Sequence, residues 1–267
     1  MTSEEPEADR LHPDQPHSAR VWNFLLGGKD NYAADRQAGE MILQMFPDIA
    51  LLARLQRRFL VRAVRHLAAD AGIRQFLDIG TGLPTVDNTH EVAQRFAPDS
   101  RIVYVDNDPL VLVHAQALLT STPEGACAYL EADVRDPDRI VEGAARTLDF
   151  DRPVALTMLG ILGQIPDSDE PEALVARYLD ILPPGSHLAL ADGTDTNETL
   201  NQAISVYNAN SASSYHLRSP ERIAAFFDGL DLVEPGIVPT SRWHPEPVDV
   251  GRSPTEVDAI CGIGRKA

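Results

Sequence analysis

The sequence predicts a doubly wound α/β protein: a mostly parallel sheet of seven strands, closed by an antiparallel terminal hairpin and preceded by an N-terminal helical cap. Three observations carry this. From residue 75 onward, short apolar runs alternate with longer helical patterns, as parallel strands and their crossover helices require. The first of those runs ends in Gly80-Thr81-Gly82, and an acid stands at or near the carboxyl end of each of the first three. The last third closes with two extended runs joined by a loop, which suits a hairpin on a sheet edge.

The elements follow in order. Residues 1–17 hold three prolines and many acids with almost nothing to bury, so a disordered leader is expected there. From Ser18 the pattern is helical. Val21, Trp22, Leu25 and Leu26 form an apolar stripe that stops at Gly27-Gly28. A second helix is expected over 33–46, ahead of Pro47, and a third over 49–71, ended by Gly72 in a left-handed C-cap. Residues 18–72 therefore read as a cap and 73–267 as the sheet domain. The expected strands are 75–79, 101–105, 126–131, 154–159 and 186–191, with helices starting near Asn88 and spanning 110–119, 139–147 and 172–182 between them. Helices over 198–208 and 219–227 precede the closing runs 230–238 and 257–263. Ser219-Pro220-Glu221 is a strong helix start: an N-cap hydroxyl, an N1 proline and an acid in the first turn.

Composition narrows the function classes. A formal charge of −17 disfavours a nucleic-acid partner, whose affinity rests on many Lys and Arg contacts to phosphate. The uncharged run 154–165 is too short to cross a bilayer and reads as a buried strand, so no membrane partner is expected. The acidic N-terminus does not look like a secretory signal. Cys127 and Cys261 stand alone in apolar runs, and no Cys-x-x-Cys or His-Glu-x-x-His pattern occurs. No metal site and a cytoplasmic setting are therefore expected. Arg54 to Arg65, interleaved with Leu55, Phe59, Leu60, Val61 and Val64, reads as an amphipathic helix with a solvated basic face.

The chemistry centres on the first strand. A Gly-x-Gly turn lets the backbone approach a ligand, because glycine has no Cβ in the way, and ligands of open parallel sheets lie beyond the carboxyl ends of the strands. A tight structural turn would give the same pattern. The acids sharpen it: Asp78 lies near where an ammonium would sit, Asp106 can accept from two ribose hydroxyls, and Asp133 can reach an adenine amino group. A dinucleotide fingerprint needs a third glycine where Thr85 stands, and Pro84 removes a backbone donor from the loop. The loop is thus poorly made for pyrophosphate, and acidic surroundings favour the sulfonium and ammonium of S-adenosylmethionine.

The runs 75–85 (QFLDIGTGLPT), 90–94 (HEVAQ) and 101–109 (RIVYVDNDP) resemble a bacterial family of class I S-adenosylmethionine-dependent methyltransferases, the S-adenosyl methyltransferase family, whose members mostly lack an assigned substrate. Residues 19–36 are similar to that family's N-terminal signature. So are Arg218-Ser219-Pro220 through Phe227, Pro235-Gly236 and Trp243, so the resemblance spans 18–267. It implies a Rossmann-like sheet. By it, Gly80, Thr81, Gly82 and Leu83 line the methionine and ribose, and Asp106 holds the ribose. Asn107 lies against the adenine, Asp133 and Val134 contact the adenine edge, and Lys29, Asn31 and Tyr32 belong to a lid over the cofactor. A plain helix–loop–helix joint is the other reading of 27–32, and Asn88, His90 and Glu91 read as a helix cap and first turn. The chain departs from the family's pattern at 162–167 and at Ala191-Asp192, near the expected substrate mouth.

Methyl transfer from a sulfonium is an in-line displacement, accelerated chiefly by alignment. An oxygen or amine nucleophile can also need a base, for which Asp192, Tyr215 and His216 are the candidates. The expected activity is methylation of a small-molecule O or N nucleophile. The alternatives are an S-adenosylmethionine-binding sensor without transfer and, less favoured, an NAD-dependent oxidoreductase. The sequence sets no oligomeric state.

Overall fold

The computed structural model describes residues 12–118, 120–211, 213–246 and 257–267; most of the expected leader, residues 1–11, lies outside them. The cap comprises α1 (Ser18–Leu25), α2 (Ala33–Met45) and α3 (Ile49–Arg65). The last of these widens into a π turn over His66–Asp70 and stops at Gly72, whose φ of +71° glycine adopts without strain. The helix expected over 49–71 is thus one continuous element with a loosened final turn.

The sheet domain alternates β1 (Gln75–Ile79), α4 (Thr89–Phe96), β2 (Arg101–Asp106), α5 (Pro109–Leu118), β3 (Ala126–Glu131), α6 (Pro137–Ala144), β4 (Ala155–Leu159), α7 (Pro171–Ile181) and β5 (His187–Gly193). Helices α8 (Glu198–Asn210) and α9 (Pro220–Ala225) then lead to β6 (Asp231–Leu232), β7 (Val238–Pro239) and β8 (Ala259–Arg265). Local chemistry sets the helix starts. Asp136, Asn197 and Ser219 each accept a backbone N–H of the helix they cap, and Pro137, Pro171 and Pro220 occupy first turns.

The strand order is β3-β2-β1-β4-β5-β8-β6, parallel through β5 and antiparallel at β8. The expected terminal hairpin forms, with one difference. Its outer strand is two short pieces on the same edge of β8: Leu232 pairs with Gly264, and Val238 with Cys261. Pro235 and Gly236 lie between them, in a turn where Gly236 N–H donates to Val233 O at 2.9 Å. Proline has no N–H for a ladder, so a continuous strand is broken there.

Side chains alternate across the sheet and build a core on each face. Leu77, Val103, Leu156 and Leu190 pack with Ile140, Tyr178 and Phe226 on one face. Phe76, Ile102, Ala155 and Cys261 pack with Phe59, Val64, Val92 and Trp243 on the other. A third cluster, including Val21, Ile42, Leu52, Leu200 and Tyr207, joins the cap to α8. The Arg54–Arg65 face is not simply solvated. Arg62 is buried and donates to Trp243 O at 2.7 Å and Thr240 O at 2.6 Å, so α3 holds the segment that follows β7.

Candidate functional site

β1 lies between β2 and β4, so the crossover helices leave its carboxyl end in opposite directions and open a crevice there. The chain enters that crevice through Gly80 and Gly82, at φ +72° and +65°. Gly80 N–H donates to Val105 O at 2.8 Å. A Cβ on Gly80 would lie 2.6 Å from Ile161, whereas one on Gly82 would meet nothing within 4 Å. Gly82 therefore presents bare backbone to a cavity of about 480 Å³.

Asp106 anchors the turn. Its Oδ2 accepts Gly82 N–H at 2.8 Å, and its Oδ1 accepts the N–H groups of Asn107 and Asp108 at 2.9 and 3.0 Å. Burial raises its pKa, against which these amides act. Asp78 accepts the hydroxyls of Thr89 at 2.6 Å and Thr157 at 2.7 Å; burial raises it too, and the hydroxyls and Arg57 offset part of that. Asp133 differs. Arg135 grips both its oxygens, at 2.9 and 2.6 Å, and holds its pKa down.

The structure brings Asp78, Gly80, Thr81, Gly82, Leu83, Asp106, Asn107, Asp133 and Val134 to the wall of this one cavity. It does not bring Lys29, Asn31 or Tyr32 there. Lys29 is exposed. Asn31 donates to Asn23 Oδ1 at 2.9 Å and to Gly28 O at 3.1 Å, and the Tyr32 ring lies under the Arg20 guanidinium. Buried Asp35 gathers this joint by accepting the N–H groups of His17 and Tyr32, both at 2.8 Å. Asn88, His90 and Glu91 serve α4 as expected: the Glu91 carboxylate accepts Asn88 N–H at 2.7 Å, and His90 meets the Tyr104 hydroxyl.

Several wall residues carried no signal in the sequence. Gln56 and Arg57 lie within the apparently solvated basic run, yet both reach the cavity from α3. Arg57 donates to Val86 O, Asp87 O and Asn88 Oδ1 at 3.1, 2.9 and 3.2 Å, and burial lowers its pKa. His17, inside the expected leader, accepts from Ala19 N–H at the start of α1 and lies 3.1 Å from Asp108. Tyr207 likewise carries no signal in the sequence, whereas Gln164 falls in the run 162–167 expected near the substrate mouth; the fold brings both to this crevice.

The three acid–base candidates part company. Asp192 is buried at the end of β5, where its Oδ1 accepts the Tyr215 hydroxyl and Gly193 N–H. Burial pushes its pKa up to about 6, partly offset by Tyr215, by backbone amides and by the charge of Arg218. Tyr215 is on the cavity wall, and its ring rests on Gly163, where a Cβ would lie 2.3 Å away. His216 is off the wall and meets Ser214 Oγ at 3.1 Å.

A family model described as S-adenosyl methyltransferase matches residues 4–267. The chain belongs to that family. As a member it is an S-adenosylmethionine-dependent methyltransferase with S-adenosylmethionine as its cofactor. It is similar to a DUF574 family protein from Streptomyces avermitilis MA-4680, with 44% identity, TM-score 0.92 and 96% of this chain covering 100% of that one. A candidate methyltransferase from Thermobifida fusca YX shows 43% identity and TM-score 0.88, with 99% of each chain covered. A SAM-dependent methyltransferase from Anabaena variabilis ATCC 29413, at 14% identity and TM-score 0.53 over 99% and 96% of the two chains, shares the fold. No curated protein matches the chain.

The crevice of this methyltransferase fits its cofactor. Bare backbone at Gly82 permits close approach, and the cavity wall carries the carboxylates of Asp78, Asp106 and Asp133. Pro84 leaves the loop without the run of amides that a pyrophosphate would need.

Proposed function

We propose that the chain methylates a small-molecule oxygen or nitrogen nucleophile in this cavity, with Tyr215 facing the nucleophile and Asp192 behind it. The carrying observation is that Gly82, Asp78, Asp106 and Asp133 share one cavity wall with Tyr215. Gly80 to Leu83 would line the methionine and ribose, Asp106 the ribose hydroxyls, and Asn107, Asp133 and Val134 the adenine. When bound, the cofactor would supply the electrophilic methyl group. Tyr215 Oη accepts the nucleophile's proton while its own moves to Asp192 Oδ1, so that no strong base need form in the cavity. Burial raises the phenol far above its ordinary range, which favours this shared transfer over a free phenolate. His216 has no part in it.

Residues 18–72 act as a cap over the sheet domain, 73–267, with α1 closing on the cofactor as a lid; α1 lends the wall Val21, Trp22 and Asn23 in place of Lys29, Asn31 and Tyr32. No helix among the described residues is long and apolar enough to cross a membrane. With its isolated thiols and net charge of −17, this supports a cytoplasmic setting and a partner that is not nucleic acid. The test is transfer of labelled methyl from S-adenosylmethionine to a panel of small alcohols, phenols and amines. The expected result is transfer to at least one of them by the parent, lost in Tyr215→Phe with cofactor affinity kept. Cofactor binding with no transfer across the panel would favour a sensor instead.

A further inference from the structure

The cavity wall divides by chemistry. Its acidic and basic members, His17, Arg57, Asp78, Asp106, Asp133 and Arg135, come from the carboxyl ends of β1 to β3 and from the two residues, His17 and Arg57, that lean on them. Arg57 is tied to the 86–88 loop, and His17 to Asp108. The other half comes from α1, α2, the first turns of α3, residues 159–166, α8 and residues 213–217, whose described residues supply no Asp, Glu, Lys or Arg to the wall. Its surface is mostly apolar, with Val21, Leu52, Leu200, Ile204 and Leu217 lining it.

Ser18, Asn23, Gln56, Ser214 and Tyr215 add polar groups to this wall, and three further polar atoms stand out because they are buried and unpaired. Tyr207 Oη, Gln164 Oε1 and Ser213 Oγ are buried without a hydrogen-bond partner among the described residues, on residues that line the cavity. Tyr207 is itself only 4% exposed. Buried polar groups are nearly always paired, because leaving one unpaired is destabilising. Phenylalanine at 207 would fill the same space without that penalty. A donor brought into the cavity that reaches these oxygens would remove that penalty.

We infer that the helical half of the cavity is the acceptor subsite and takes an uncharged, mostly apolar hydroxyl compound of the phenol type. Its ring lies against Leu200 and Ile204. A hydroxyl donates to Gln164 Oε1, which can only accept, and a second polar atom meets Tyr207 Oη. A carboxylate or phosphate would find no free cation in this half among the described residues. An ammonium would find no carboxylate on its wall, since Asp192 lies behind the Tyr215 hydroxyl; burying either charge unpaired is prohibitive. The cavity of about 480 Å³ is shared with the cofactor, so the acceptor is small. This assignment of substrate class rests on the function proposed above.

The test titrates the full chain calorimetrically with 1-naphthol, 1-naphthoate and 1-naphthylmethylammonium, with and without S-adenosylhomocysteine. Naphthol should bind saturably, at least about tenfold tighter than either ion, the ratio that 1.4 kcal/mol produces. Tyr207→Phe, which keeps the ring, should weaken a dihydroxynaphthalene by about three- to tenfold, as expected for one neutral hydrogen bond. Leu200→Arg should abolish naphthol binding while S-adenosylhomocysteine still binds. Equal or tighter binding of an ion would overturn the inference, as would naphthol and dihydroxynaphthalene affinities that neither substitution changes. The S-adenosylhomocysteine titration reads the cofactor assignment separately: if it fails while naphthol behaves as described, that assignment falls and the apolar subsite stands.

Discussion

Asp106→Asn separates charge from shape at the centre of the site. In the parent, Oδ2 takes Gly82 N–H at 2.8 Å while Oδ1 serves Asn107 and Asp108. Asparagine keeps one carbonyl oxygen for residues 107 and 108 and turns its amide NH₂ toward Gly82 N–H. Two donors then meet, and the glycine turn loses its anchor. Losing a hydrogen bond to a charged group costs about 1.5–3 kcal/mol. At about 1.4 kcal/mol per tenfold, the affinity for S-adenosylhomocysteine should fall roughly 10- to 100-fold. Stability should fall less, because the substitution also removes a carboxylate whose ionisation burial disfavours. Titration calorimetry measures the first quantity and a thermal melt the second. A Kd within about twofold of the parent in a folded variant would refute the reasoning, since that is far less than one charge-assisted bond provides.

Gly82→Ala tests the same turn from the other side: the methyl has open space in the free chain but forces a non-glycine residue to φ +65°, at about 1–2 kcal/mol, and intrudes on the ligand. Cofactor binding should weaken more than the melting temperature falls, and equal binding would show that the glycine serves only the turn. Asp192, raised to about 6 by burial, adds stability that is fully present below an ordinary carboxylate pKa of roughly 4 and is lost as pH rises through 6. Asp192→Asn lacks that dependence, so its melting temperature should gain on the parent's between pH 4.5 and 7.5; a constant difference would contradict the burial argument. Arg62→Met removes two buried charge-assisted bonds to Trp243 O and Thr240 O, which should cost about 3 kcal/mol and lower the melting temperature by about 6–12 °C in scanning calorimetry. A shift under about 2 °C would mean that the two carbonyls find other partners. Hydrogen exchange should show protection rising over residues 18–36 as well as 78–84 when S-adenosylhomocysteine binds. Protection at the glycine turn alone would make the first helix a fixed wall and not a lid.

Where the physics is local, the sequence by itself was sufficient. Strand Gln75–Ile79, the turn at Gly80 and Gly82, and the helix starts at Asn88 and Ser219 depend on residues within a few positions of one another, so spacing and residue type reveal them. The acids at 78, 106 and 133 were legible for a related reason. Parallel strands in one sheet bring their carboxyl ends to one edge, whatever lies between them in the chain. The closing run 230–238 reads as one strand in the sequence, whereas the structure splits it at Pro235-Gly236 into two short pieces on β8. Only the tertiary structure decided the rest. Arg57 and Arg62 sit in a run of arginines that reads as solvated, and no periodicity distinguishes the ones that turn inward to hold distant carbonyls. Asn31 and Tyr32 looked like ligand contacts, but Asp35, Arg20 and Asn23 claim that joint for the cap itself. Tyr207, Gln164 and Tyr215 lie on three segments whose convergence depends on how α8 packs against the cap and where residues 213–217 return over Gly163 and Gly193. Many of those contacts join residues more than two dozen positions apart, and even the short-range ones at Asn31 and Tyr32 depend on where the cap is held. Such encounters are set by packing shape rather than by sequence spacing, and a polar residue declares itself orphaned only once its neighbours are in place.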